Sequence, residues 1–243
     1  MRIISRLDIK NEFVIKGINL EGLRKIGDPV ILSEKYYKDK ADELILYDTV
    51  ASLYGRNNLF HLIREITKKI FIPVCLCGGI RNLEDIKNAL DSGADKVGIN
   101  TAIVNNPFFL KEASENFGSS NIIASIEAKK INNNKWEVYT HNGRDKSGIM
   151  VNDWIKKIQE IGCGEILLTS IDADGTQLGF DMELLNYIKQ AKINVPIIIS
   201  GGCGNFDHIK KIHKKLPDEA VAIASALHYK KLKITEIKEK LNL

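Results

Sequence analysis

The chain has 243 residues, of which 44% are apolar and 27% charged, with a formal net charge of +4. That balance suits one large α/β domain or two small ones in a soluble protein, and no run approaches the ~20 apolar residues of a membrane span. Lys-rich patches such as Lys210-Lys211 and Lys214-Lys215 read as solvated helix faces, so neither a nucleic-acid nor a membrane partner is expected. The start lacks a charged-then-apolar signal pattern with a cleavage site, which predicts a cytoplasmic location. Cysteines stand at 75, 77, 163 and 203, with no C-x-x-C and no His at zinc-finger spacing. Reduced thiols are expected, with no metal site and no cofactor.

Strand-like and helix-like runs alternate along the chain. A first strand over 2–8 ends in Asp8, and residues 10–27 read as a long polar, Gly-containing loop of the kind that is usually functional. Asp28-Pro29 opens a helix, with Asp as N-cap and Pro in the first turn. A strand over 43–48, a helix over about 58–69 and a strand over 72–77 follow, the last running into Gly78-Gly79. A helix then contains residues 83–87, and a strand over 96–100 leads to Thr101.

The second half begins with a strand ending at Glu127, followed by a hairpin through residues 135–140 and a helix containing 154–158. A strand over 165–170 leads into the polar loop 172–176, a strand over 195–200 into Gly201-Gly202, and a strand over 220–224 into Ser225 and a last helix. Eight strands, each followed by a helix, predict a single (β/α)8 TIM barrel, for which ~250 residues is the usual size. The competitor, an open doubly wound sheet, would carry G-x-G-x-x-G after its first strand, and that pattern is absent.

An internal repeat favours the barrel. Asp8 matches Glu127, Glu43 matches Glu165, Pro73 matches Pro196, Gly78-Gly79 matches Gly201-Gly202, and Thr101 matches Ser225, at offsets of 119, 122, 123, 123 and 124. So small a drift predicts two similar half-barrels, about 1–120 and 121–243, with sites in pairs.

The C-terminal ends of the strands form the active face of such a barrel. Asp8 and Glu127 both end strands there, and two carboxyls across one mouth suit general acid–base work. Glycine pairs let backbone N–H groups approach an anion, and Thr101 and Ser225 add a hydroxyl at the start of a helix. Two such cradles predict an elongated substrate with a phosphate at each end. At the opposite rim, Arg2, Glu43, Lys96 and Glu165 each begin a strand, and the ring they form reads equally as a salt-bridge plug or as a gate to a central passage.

With these residues in hand, the chain resembles the cyclase subunit of imidazole glycerol phosphate synthase over nearly its whole length. The marks include Leu7-Asp8-Ile9-Lys10, Val14-Ile15-Lys16-Gly17, Gly27-Asp28-Pro29, Ala94-Asp95-Lys96-Val97, Ile99-Asn100-Thr101-Ala102, the run from Gly164 to Ser170, Asp174-Gly175-Thr176 and Ser200-Gly201-Gly202. The resemblance implies a glutaminase subunit on the bottom rim and ammonia passing the charged ring. At the top the ammonia would meet a bis-phosphorylated ribulosyl aminoimidazole carboxamide nucleotide. The products would be imidazole glycerol phosphate and an aminoimidazole carboxamide ribotide. Asp8 matches the main acid–base residue, and Lys16 the lysine of a mobile loop. Gly79, Asn100 and Thr101 match one phosphate site, and Gly175, Gly202 and Ser225 the other. Asp48, Gly78, Thr169, Asp174 and Gly201 are expected to join the substrate-binding set, and Asp8→Asn is expected to abolish turnover with folding intact.

The chain also departs from the family pattern. The second catalytic acid, usually Asp, is Glu127, and a misplacement of ~1 Å can cost ~10²-fold in rate. Arg6 shares the inward face of Asp8 where the family usually has a small residue. Arg6 is expected to pair with Glu127, keeping it ionised and a poorer proton donor. Cys77 stands in place of the first Gly of a triplet, and the tail stops early, at Leu243. These changes keep two other readings open. One is a paralogue that delivers ammonia to a sugar amidotransferase in surface-polysaccharide or flagellin-sugar synthesis, and the other is a non-catalytic phosphate-binding scaffold.

Overall fold

The computed structural model describes residues 1–51, 59–132 and 134–243. Its strands in chain order are β1 (Arg2–Lys10), β2 (Phe13–Ile18), β3 (Glu21–Gly27), β4 (Glu43–Asp48), β5 (Val74–Cys77), β6 (Lys96–Ile99), β7 (Ile122–Asn132), β8 (Lys135–Thr140), β9 (Asp145–Met150), β10 (Glu165–Ser170), β11 (Ile197–Ser200) and β12 (Ala220–Ile223). Eight of them run parallel in the cyclic order β1-β4-β5-β6-β7-β10-β11-β12, and the β12–β1 and β7–β10 pairings close the ring. This is the expected (β/α)8 barrel. In this ring β1 and β7 are diametrically opposite, four steps apart in either direction.

Side-chain alternation sorts each strand into an inner and an outer set. Arg2, Ile4, Arg6 and Asp8 point inward on β1, and their ladder partners on β4 are offset so that Ile4 meets Glu43, Arg6 meets Ile45 and Asp8 meets Tyr47. The same parity carries around the ring, with Cys75 beside Lys96 and Glu127 beside Thr169. A small apolar cluster of Ile4, Ile45, Cys75, Ile123, Leu167 and Ile198 therefore fills the barrel axis. The outer faces of the strands pack with the surrounding helices into a much larger core that includes Ile3, Leu7, Leu44 and Val97.

The corners repeat between halves. Asn82 caps the helix Leu83–Asp91 and Asn205 caps the helix Phe206–Lys215, and 82 and 205 differ by 123. Asp95 accepts from the Val74 N–H and Glu219 from the Ile197 N–H, each buttressing the strand that follows a proline. Pro73 and Pro196 lack an N–H, so β5 and β11 begin just after them, two residues later than 72–77 and 195–200 would suggest, while both carbonyls still accept from the neighbouring strand. Asp28 caps the helix Pro29–Lys38 as expected, its carboxyl accepting from the Ile31 N–H at 2.9 Å. The helix expected over 58–69 spans Phe60–Thr67, and position 58 lies outside the described residues.

Residues 10–27 are a β-hairpin, not a loop. β2 pairs antiparallel with β1 and β3 with β2. The turn places Asn19 and Leu20 at φ of 53° and 64°, the left-handed pair of a tight hairpin turn. Leu at the second position, where Gly is the usual signal, hid the turn, and the exposed polar β3 hid the strand. After β7 the second half makes the matching addition, β8 and β9, of which β9 is mostly polar and went unseen.

All four cysteines are free thiols and buried, with the Cys75 and Cys77 sulfurs 3.6 Å apart on one inward face. Behind β1, the Tyr36 hydroxyl meets His228 Nδ1 at 2.6 Å. Burial pushes the His228 pKa down from 6.5 to about 4. The neutral ring is the folded form, so its stabilisation is complete above the unfolded value and is lost as pH falls from about 6.5 toward 4. The full swing is on the order of 3 kcal/mol. Urea unfolding of His228→Gln at pH 7.5 and pH 5 is expected to show a smaller loss of stability on acidification than the parent chain.

Candidate active site at the C-terminal mouth of the barrel

Asp8 ends the inward row of β1 at the mouth and is buried. Its two carboxyl oxygens are both engaged, Oδ1 by Arg6 Nε at 2.7 Å and Oδ2 by Lys16 Nζ at 2.6 Å. Lys16 reaches it because β2 runs back along β1, opposing Asp8 with Ile15. The same ammonium donates to Asp174 at 2.8 Å and 3.1 Å. Two cations and two carboxyls therefore alternate in a chain, Arg6–Asp8–Lys16–Asp174, with every member under 5% exposed. Burial alone would raise the Asp8 pKa, but the Arg6 guanidinium and the Lys16 ammonium overcome it and hold that carboxyl well below the usual range.

Glu127 ends the inward part of β7 across the barrel. Its Oε1 accepts from the Tyr47 hydroxyl at 2.7 Å and its Oε2 from the Gly143 N–H at 2.8 Å. Burial raises its pKa above the ordinary value, outweighing the hydrogen bonds from Tyr47 and Gly143 and the more distant charge of Arg6. The expected Arg6–Glu127 pair is not made. Arg6 instead folds along its own strand to Asp8 and donates to Thr169 Oγ1 at 2.9 Å and to Ser200 Oγ at 3.3 Å. Its guanidinium carbon lies 4.3 Å from the centre of the Tyr47 ring, so the ring face takes the cation while the hydroxyl takes Glu127.

Beside Glu127 opens a cleft of about 570 Å³. Gly78, Gly79, Asn100, Thr101 and Asp48 line it, as expected, together with Arg81 and His141. Gly78 has a φ of 88°, and a Cβ there would lie 2.2 Å from the Asp48 carbonyl oxygen, so only glycine fits. Asn100 Oδ1 is buried with no hydrogen-bond partner, while its Nδ2 donates to the Tyr139 carbonyl. Asp48 also organises the backbone, accepting from the N–H groups of Val50 and Ala51.

The second expected cradle is only partly gathered. Gly175 lines a groove of about 620 Å³ with Lys16, Arg24 and Lys231, whereas Gly201, Gly202 and Ser225 line neither this groove nor the cleft. A Cβ on Gly175 would meet the Gly17 carbonyl oxygen at 2.1 Å and one on Gly202 the Gly179 carbonyl oxygen at 1.9 Å. The hairpin tip is tied down over this half, with Asn19 N–H donating to the Asp174 carbonyl at 2.8 Å. Thr169 faces the barrel axis and contacts Arg6.

Sequence reasoning missed Tyr47 and Gly143. Tyr47 was within reach, since it continues the inward parity of Glu43 and Ile45. Gly143 was not, because its position depends on the turn between β8 and β9, where His141, Asn142 and Gly143 are successively left-handed.

At the N-terminal rim, Arg2 Nη1 donates to Glu43 at 3.0 Å and Arg2 Nη2 to Glu165, while Lys96 Nζ donates to Glu43 at 3.1 Å and to Glu165 at 3.0 Å. Each acid bridges both bases, making the four side chains a closed square over the barrel floor. Among the described residues, no three His, Cys, Asp or Glu side chains group to hold a metal ion.

Residues 2–233 match the family described as histidine biosynthesis protein. The chain is 43% identical over 240 residues to the imidazole glycerol phosphate synthase subunit HisF of Bacillus cereus (strain Q1), covering 99% of this chain and 95% of that protein. It is 41% identical over 238 residues to the subunit of the same name from Clostridium botulinum (strain Okra / Type B1), covering 98% and 94%. The subunit of that name from Legionella pneumophila is 48% identical over 207 residues, covering 85% of this chain and 97% of that protein.

Proposed function

Because this chain belongs to the histidine biosynthesis protein family, we propose that it is the cyclase subunit of imidazole glycerol phosphate synthase, an enzyme of histidine biosynthesis. Ammonia and a bis-phosphorylated ribulosyl aminoimidazole carboxamide nucleotide become imidazole glycerol phosphate and an aminoimidazole carboxamide ribotide. The observation that carries the reading is the pair of carboxyls, Asp8 and Glu127, on diametrically opposite strands, each just before its strand stops pairing with the next strand of the barrel wall. The Gly78–Gly79 and Asn100–Thr101 cleft lies on one side of them and the basic Gly175 groove on the other.

Asp8 and Glu127 are the acid–base pair in this reading. The cleft takes one phosphate through backbone N–H groups and the Thr101 helix start. The Gly175 groove takes the other, joined by Gly201, Gly202 and Ser225 once the hairpin lifts. A glutaminase subunit docks on the floor, and ammonia enters through the square of Arg2, Glu43, Lys96 and Glu165. No described helix is long and apolar enough to cross a membrane.

The deciding experiment is turnover of the bis-phosphate substrate by the purified chain with ammonium salt at alkaline pH. Turnover at ordinary enzyme rates supports the cyclase. Tight binding without turnover would overturn it and leave only the phosphate sites. A second expectation concerns the floor. Lys96→Ala removes one corner of the square and two of its four ion pairs, so in the complex with a glutaminase it should lower the ratio of glutamine-driven to ammonium-driven turnover. The KM for the bis-phosphate should stay unchanged, and a shift confined to that KM would remove Lys96 from the ammonia route.

A further inference from the structure

Arg6 is the largest charged side chain buried in the barrel, at 1% exposed, and the family role of neither carboxyl accounts for it. It touches both halves of the acid–base pair. Its Nε is bonded directly to Asp8, and its face stacks on the Tyr47 ring whose hydroxyl is bonded to Glu127. Thr169 and Ser200, on the far strands β10 and β11, fix the guanidinium from the other end. A cation held from four sides cannot follow substrate, whereas Lys16, the second partner of Asp8, is carried on a hairpin.

We propose that Arg6 is a positioning residue that fixes Asp8 as the proton acceptor of the reaction and leaves proton donation to Glu127. This rests on the cyclase reading of the same site. When Lys16 withdraws, Asp8 Oδ2 becomes free while Arg6 keeps Oδ1 in place. Asp8 then takes a proton from the attacking nitrogen, and Glu127 gives one to the departing group. Exchange with solvent restores both, so protons balance over the cycle. Glu127 can serve as donor because, among the described residues, no cation bonds to it: its partners there are a phenol and a backbone N–H. The charged and titratable groups facing Asp8 are Arg6 on its own strand, Lys16 from the hairpin, Asp174 from the loop after β10, and His228 from the segment after β12. Among the described residues, Tyr47 and Glu127 complete the set from β4 and β7.

The test is the pH profile of kcat/KM for the bis-phosphate, at a constant concentration of unprotonated ammonia, for the parent chain, Arg6→Gln and Arg6→Lys. In Arg6→Gln the acid limb should move to higher pH by about one unit or more, with kcat falling further than KM rises. Arg6→Lys, which keeps the charge, should restore most of the limb. An acid limb unmoved in Arg6→Gln would overturn the proposal, since a purely structural role lowers rate without moving it. If Arg6→Gln does not fold, Arg6→Met, which also removes the charge, takes its place, and an acid limb unmoved there would overturn it as well. Should the parent chain show no turnover, the cyclase reading falls on its own. Carbon NMR titration of the Asp8 carboxyl, assigned with Asp8→Asn, then decides, because no upward movement in the Arg6 variant sinks the proposal.

Discussion

Asp8→Asn is expected to lower ammonium-driven turnover by roughly 10²–10⁴-fold, the usual contribution of a positioned acid–base group. The substitution keeps the shape of the side chain and removes its ability to take a proton. It also removes one of the two negative charges in the Arg6–Asp8–Lys16–Asp174 chain. Two buried cations then face Asp174 alone, and breaking a buried ion pair from one side typically costs about 3–5 kcal/mol. The Asn carbonyl still accepts from Arg6 or Lys16, which places the loss at the lower end. The variant is therefore expected to fold with reduced stability, where the sequence alone suggested no cost. Because the folded pKa of Asp8 is depressed, its stabilisation is present above the unfolded carboxylate range and is lost as pH falls through it. Asp8→Asn should accordingly flatten the acid arm of the stability profile while lowering its plateau. Thermal unfolding across pH, beside turnover, checks both halves, and unchanged turnover would remove Asp8 from its role.

The barrel was legible because its signals are local. Strand runs of period two, Gly pairs after strands, and the repeat near 123 residues all survive in one dimension. The floor was legible for the same reason: Arg2, Glu43, Lys96 and Glu165 are each the first residue of a strand, and ring closure brings first residues together. The mouth was only half legible. Its carboxyls follow apolar runs and stand where β1 and β7 leave the barrel wall, each strand continuing into a hairpin, but their partners come from turns and from the crossing of side chains over the axis. Which of Asp8 and Glu127 would take Arg6 depended on Tyr47 lying between Arg6 and Glu127, a contact between β1 and β4 that no spacing within either strand announces. The hairpin over residues 13–27 was obscured by its composition, since its turn uses Asn-Leu and its outer strand is nearly all exposed. Misreading it as a loop hid the physical reason why Lys16 can reach Asp8 and Asp174 together.

Glu127→Gln is expected to cost about as much as the Asp8 change, roughly 10²–10⁴-fold in turnover, with little loss of stability because Glu127 makes no ion pair among the described residues. The amide can accept from the Gly143 N–H and donate to the Tyr47 oxygen, so the local structure has a way to persist without a transferable proton. Glu127→Asp is the more informative change. The family usually carries Asp at this position, yet here the carboxyl is spanned between Tyr47 at 2.7 Å and Gly143 at 2.8 Å. Shortening the side chain withdraws it by ~1 Å, so both contacts cannot be kept, and such a misplacement is worth ~10²-fold. The longer acid and the buried guanidinium are two parts of one arrangement, because Arg6 sets the Tyr47 ring and the ring sets the height at which a carboxyl is met. Arg6→Ser combined with Glu127→Asp should therefore lose less activity than the two single changes multiplied together, the signature of residues in one network. Strict multiplication of the two losses would mean that Arg6 and Glu127 act independently, and that Tyr47 transmits nothing between them.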